Sequence, residues 1–186
     1  GGPWVGIYLT AGNANIGTTT ANTIGSGTGT GAINLTVVTN SGARSSGIYC
    51  DASSTVSNIS NNIIGSITSG ASTISQGFSG IVTTAGTTLT INNNTIGSTS
   101  TANSINMNTG ATSTTAQIVY GINNSSSATV SITNNTIANI NNNYLPSAAN
   151  TSNVVAGILS SSGINTITGN TVRNLSTAAN ATGTSS

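Results

Sequence analysis

The stretch Val130-Ser131-Ile132-Thr133-Asn134-Asn135-Thr136-Ile137-Ala138-Asn139-Ile140 decides how this chain folds. Val130 and Ile132 stand two apart, the spacing that places side chains on one face of a strand. Asn134-Asn135 then interrupts the apolar positions with residues that suit tight turns. Thr136-Ile137 opens another short strand, which Ile140 extends by one more inward position. Upstream lies Gly121-Ile122 and downstream Gly157-Ile158, so the block is bracketed by one recurring dipeptide.

Working outward, the same order of signals appears five times. Gly-Ile recurs at Gly6-Ile7, Gly47-Ile48, Gly80-Ile81, Gly121-Ile122 and Gly157-Ile158. Asn-x-Ile/Val recurs at Asn22-Thr23-Ile24, Asn62-Ile63-Ile64, Asn94-Thr95-Ile96, Asn135-Thr136-Ile137 and Asn170-Thr171-Val172. The gap from the first anchor to the second runs only from 17 residues (Ile7 to Ile24) down to 14 (Ile158 to Val172). Between the anchors sits a third apolar pair: Val56 and Ile59, Leu89 and Ile91, Val130 and Ile132, Ile164 and Ile167, with Ile16 alone in the first unit. Repetition at such a period is the mark of a solenoid, in which one unit cannot bury its own apolar face and stacked units can.

The expected fold is therefore all-β: a parallel β-solenoid of about five coils, each of three short strands, filling residues 1–186 as a single segment. Ile7, Ile48, Ile81, Ile122 and Ile158 are expected to stack as one interior column, and Ile24, Ile64, Ile96, Ile137 and Val172 as another. The Asn column (Asn22, Asn62, Asn94, Asn135, Asn170) is expected to take the left-handed conformation that a sharp bend requires and to hydrogen bond along the axis as a ladder. The alternative is a sugar-binding or ice-binding row of amides.

Successive Gly-Ile anchors lie 41, 33, 41 and 36 residues apart, so insertions of alternating length follow the Thr-Ile strand. The two long ones carry period-two patterns of their own, Ile33, Leu35 and Val37 in one and Ile105 and Met107 in the other. These read as extra strands forming a ridge beside the coils, either insulating the core or offering a surface to a partner.

Composition narrows function by exclusion. Only 2% of the residues are charged and there is no His, against about 25% charge in an ordinary domain. Arg44, Asp51 and Arg173 are the only charged side chains, so carboxylate pairs, a His base or a Lys nucleophile cannot be assembled within the chain. Nucleic-acid binding lacks its Lys/Arg cluster, and Cys50 with Asp51 cannot make a metal cage. No cofactor is expected. No apolar run is long enough to span a bilayer. Cys50 should be buried in the column of Leu9, Asp51 should be a surface or turn residue, and Arg173 should point outward. Trp4 and Tyr8 should pack against a preceding coil or face a glycan. The mean hydropathy is +0.12, and a neutral Ser/Thr/Asn exterior lacks the charge repulsion that opposes self-association.

With these tracts in view, the chain resembles the right-handed parallel β-helix repeats of large secreted surface proteins and adhesins of the Bacteroidota type, across residues 5–175. The resemblance implies export, often by the type IX route, and residence at the cell surface or outside the cell. It implies no activity, since the scaffold serves adhesins, stalks and polysaccharide-cleaving enzymes alike, and the acidic and basic catalytic residues of the enzymes have no counterparts here. The expected role is a structural or adhesive segment of an extracellular fibre. Neither end shows a capping segment and Gly1 is no initiator Met, which suggests a processed product or a part of a longer protein or filament. The expected partners are its own copies or adjoining repeats. A glycan-binding module using Tyr8, Tyr49 or Tyr144 is the alternative, and an ice-binding solenoid the third.

Overall fold

In the computed structural model, residues 3–36, 44–53, 55–70, 77–109, 117–144 and 155–177 are described. They form eighteen strands and, among the described residues, no helix. Gly, Ser, Thr and Asn are weak helix formers, whereas Ile, Val and Thr suit a pleated surface, so the local preference agrees with the result. Coil 1 comprises β1 (Val5–Leu9), β2 (Ala14–Ile16), β3 (Thr23–Gly25) and β4 (Ile33–Leu35). Coil 2 comprises β5 (Arg44–Cys50), β6 (Val56–Ser60), β7 (Ile63–Gly65) and β8 (Ile67–Gly70). Coil 3 follows with β9 (Gly77–Thr83), β10 (Thr88–Asn92), β11 (Thr95–Gly97) and β12 (Ile105–Thr109). Coil 4 has β13 (Ile118–Asn124), β14 (Thr129–Thr133) and β15 (Thr136–Asn142), and coil 5 has β16 (Val155–Ser160), β17 (Ile164–Thr168) and β18 (Thr171–Thr177).

Every strand pairs in parallel with its equivalent one coil away, giving a parallel β-helix with three sheets. The first sheet runs β1-β5-β9-β13-β16 and the second β2-β6-β10-β14-β17; the third gathers the remaining strands. Register is set by the Ile columns. Ile7, Ile48, Ile81, Ile122 and Ile158 are direct partners through all five coils. Ile24, Ile64, Ile96, Ile137 and Val172 form a second unbroken column in the third sheet. A one-residue slip would turn each column out to solvent, which is why the register holds.

The Gly-Ile dipeptide has a steric cause. A Cβ placed on Gly80 would lie 2.5 Å from Ile96 Cγ2 and 2.7 Å from the Gly121 carbonyl oxygen, and Gly47 and Gly121 meet the equivalent Ile of their own coils at 2.7 and 2.5 Å. The first sheet thus has no room for a side chain where the Ile column of the third sheet presses on it.

Three expectations need correction. Val56 and Ile164 are not inward: they are 44% and 73% exposed. The inward places beside Leu89 and Val130 belong to Ser57 and Asn165. Val56 and Ile59 stand three apart, as do Ile164 and Ile167, and strand alternation puts residues three apart on opposite faces. Second, Ile33 and Ile105 are not part of an external ridge. They stand in register with Ile67, Ile140 and Leu175 as a third apolar column. What protrudes is a loop at 26–32 in coil 1 and another at 98–104 in coil 3, inserted between the two halves of the third-sheet strand. Val37 lies outside the described residues. Third, the left-handed bend is taken by the residue before each ladder Asn in three coils: Asn61 at φ 60°, Asn93 at 54° and Asn134 at 56°, with Gly169 at 68° in the same place in coil 5.

Candidate functional site

The most organised polar feature is the Asn column. Each amide donates from Nδ2 to the Oδ1 of the next coil: Asn22 to Asn62 at 2.9 Å, Asn62 to Asn94 at 2.9 Å, Asn94 to Asn135 at 2.9 Å and Asn135 to Asn170 at 3.0 Å. The same oxygens also accept from backbone: Asn62, Asn94 and Asn135 each donate their N–H to the following Oδ1 at 2.9 Å. The Nδ2 groups reach back as well, to the carbonyls of Ile16, Ile59, Ile91 and Ile132 at 2.8–3.0 Å. Asn62, Asn94 and Asn135 are buried. The column therefore stitches the corner between the second and third sheets, and its middle members are withdrawn from any sugar or ice surface.

The ladder has a direction. Side-chain donors point toward the higher-numbered coil, while the strand that follows donates its first backbone N–H the other way: Ile63 to Asn22, Thr95 to Asn62, Thr136 to Asn94 and Thr171 to Asn135, at 2.8–2.9 Å. Each junction thus joins unlike groups in both directions.

The two loops form a second feature that periodicity alone does not reveal. They touch across the loop-less coil between them: Ser98 Oγ donates to the Gly27 carbonyl at 2.8 Å and the Gly29 N–H donates to Thr101 Oγ1 at 3.1 Å. Arg173, outward in coil 5, donates from Nη2 to the Thr99 carbonyl at 2.7 Å and so continues that flank across coil 4. On the outer face of the second sheet Thr88 and Thr90 stand in register with Thr129 and Ser131, while those places hold Val56 and Asn58 in coil 2 and Ile164 and Thr166 in coil 5.

Cys50 and Asp51 are neighbours in the chain, one buried and the other exposed. Cys50 is a free, buried thiol in the column of Leu9 and Thr83. Asp51 is exposed and accepts a hydrogen bond from the Thr84 hydroxyl. Among the described residues no three of His, Cys, Asp or Glu come together. The Arg44 side chain lies outside the described residues. Trp4 is half-buried against the core at coil 1. Tyr8, 58% exposed, packs edge to face on Tyr49 with ring centroids 5.1 Å apart. Tyr144 is buried and so unavailable to a surface ligand. Comparison of the chain with protein-family models, curated proteins and solved structures returned no match.

Proposed function

We propose that this chain is a structural or adhesive segment of an extracellular or cell-surface fibre, acting through its length and regularity and without catalytic chemistry. One observation carries the reading. Three apolar columns and one amide ladder run through all five coils, while the charged groups that most enzymes and nucleic-acid binders use are nearly missing. Such a molecule is close to a one-dimensional lattice in which each coil is supported chiefly by its neighbours. The likeness to secreted β-helix repeats supports export. Immunogold electron microscopy of native material, with antibody raised to this chain, is the test: label spaced along filaments supports the reading, and label confined to the cell interior overturns it.

Glycan binding is the second reading, favoured by the edge-to-face pair of exposed Tyr8 and half-buried Tyr49, with exposed Asp51 just past the end of β5. Saturable binding on a glycan array that is lost in Tyr8→Ala supports it. An ice-ordering face is the third reading, supported only by the hydroxyl patch of Thr88, Thr90, Thr129 and Ser131, and measurable thermal hysteresis would promote it above the others.

A further inference from the structure

We infer that the loops at 26–32 and 98–104 form a clasp across coil 2, holding coil 1 directly to coil 3, so that coil 1 leaves the stack only by breaking bonds two coils away. The inference goes beyond the fibre reading and does not depend on it. Where contacts join only successive coils, a change in coil 3 has no effect on the junction between coils 1 and 2. The clasp makes that junction answer to coil 3.

Ser98 is the centre of the device, fully buried at the base of a loop whose next two residues are exposed. Its hydroxyl donates to the Gly27 carbonyl of coil 1 at 2.8 Å and accepts the Ser100 and Thr101 N–H groups at 3.2 and 3.1 Å, which hold its own loop closed. Its carbonyl accepts from Asn139 Nδ2 of coil 4 at 2.7 Å. Thr101 Oγ1 adds a second bond to coil 1 by accepting the Gly29 N–H at 3.1 Å. Coil 2 passes beneath with a single residue, Ser66, between its two third-sheet strands. Ser66 joins the feet of both loops: its hydroxyl accepts the Ala32 N–H at 3.0 Å and its own N–H donates to Ser104 Oγ at 2.9 Å. A second observation, independent of these bonds, marks the same place. The position just after each ladder Asn holds Thr23, Thr95, Thr136 and Thr171, but Ile63 in coil 2. Strand alternation turns Ile63 outward from buried Ile64, yet it is half-buried. Loop 26–32 lies over it, for a Cβ on Gly27 would stand 3.3 Å from Ile63 Cγ2. An apolar side chain thus takes this outward place only in the coil that the loops bridge, and opening the clasp exposes it to water.

The test is native-state hydrogen exchange by NMR on the 186-residue chain and two loop variants, under conditions where exchange reports the opening equilibrium. The probes are the Ser46 and Asp51 N–H groups of coil 2, which donate to the Trp4 and Leu9 carbonyls of coil 1 beside the first sheet, away from the loops. Thr101→Val removes the acceptor of the Gly29 N–H and leaves Ser98 in place, whereas Ser98→Ala/Thr101→Val removes both bonds to coil 1. Each variant should keep the wild-type far-ultraviolet circular dichroism spectrum. One hydrogen bond is a factor of about five in an opening equilibrium, so Ser46 and Asp51 should exchange about five-fold faster in the first variant and roughly thirty-fold faster in the second. The Ser161 and Ile164 N–H groups, which donate from coil 5 to coil 4, should keep the wild-type rate in Thr101→Val. Unchanged exchange at Ser46 and Asp51 overturns the proposal. So does equal acceleration at Ser161 and Ile164, which marks a general loosening. Should the double variant fail to fold, Thr101→Val alone decides, because Thr101 is half-buried and outside the apolar columns.

Discussion

Coil 3 and coil 5 carry similar apolar residues in the three columns, although Asn165 stands where coil 3 has Leu89, and they differ in burial. Ile91 and Ile96 are fully buried, whereas Ile167 and Val172 are 45% exposed, and β17 is exposed at all five positions. The backbone path and the register are alike in both coils. Among the described residues, coil 3 has a coil on either side and coil 5 has one on one side only. Burial in this fold is therefore supplied by neighbours, and a coil has little hydrophobic stabilisation of its own.

That contrast can be broken most sharply at its centre. Ile96→Ala should cost about 3–4 kcal/mol by opening a cavity in a closed core, while Val172→Ala at the edge should cost under about 1 kcal/mol. Urea unfolding of the monomer checks both, and equal costs would mean that coil 5 is covered in solution. A comparable loss, about 3 kcal/mol, is expected for Asn94→Ala, because Asn62 loses the acceptor of two hydrogen bonds inside the stack. Asn170→Ala should lose roughly 1 kcal/mol, water replacing part of what is removed. Gly80→Ala should destabilise by about 2–3 kcal/mol through overpacking against Ile96 and the Gly121 carbonyl. At Gly12, where a Cβ meets nothing within 4 Å but φ is +83°, alanine should cost about 1 kcal/mol from backbone strain alone. The smallest effect sharpens the picture instead. Ser57 has a buried hydroxyl without a hydrogen-bond partner, so Ser57→Ala should be neutral or raise stability by up to about 1 kcal/mol, read as an upward shift in Tm.

Much of the architecture was legible in the residues. The Gly-Ile and Asn-x-Ile anchors located the two main columns and the corner ladder, because a side chain that stacks on its own equivalent must recur at the same place in each unit. The errors came where one signal had two sources. Val56 and Ile164 matched the pattern in residue type and failed it in parity, and parity decides the face. Ile33 and Ile105 looked like insertions because a loop pushed them away from their anchor, although they belong to the same column as Ile67. The left-handed bend was placed one residue late: in Asn61-Asn62, Asn93-Asn94 and Asn134-Asn135 either neighbour has suitable chemistry, and only the φ angles tell which one turns.

Taken alone, the residues determined the strand preference, the period, the interior columns and the near absence of charged chemistry, since each of these is a property of side-chain type and spacing along the chain. The tertiary structure decided which Asn turns and which one bonds, how loops two coils apart meet, and that the ladder has a direction. Those depend on contacts between residues some 30 to 75 positions apart, which spacing along one coil does not encode. Hydrogen bonds between coils are formed only when coils stack, so the direction of the amide ladder exists only in the assembled solenoid.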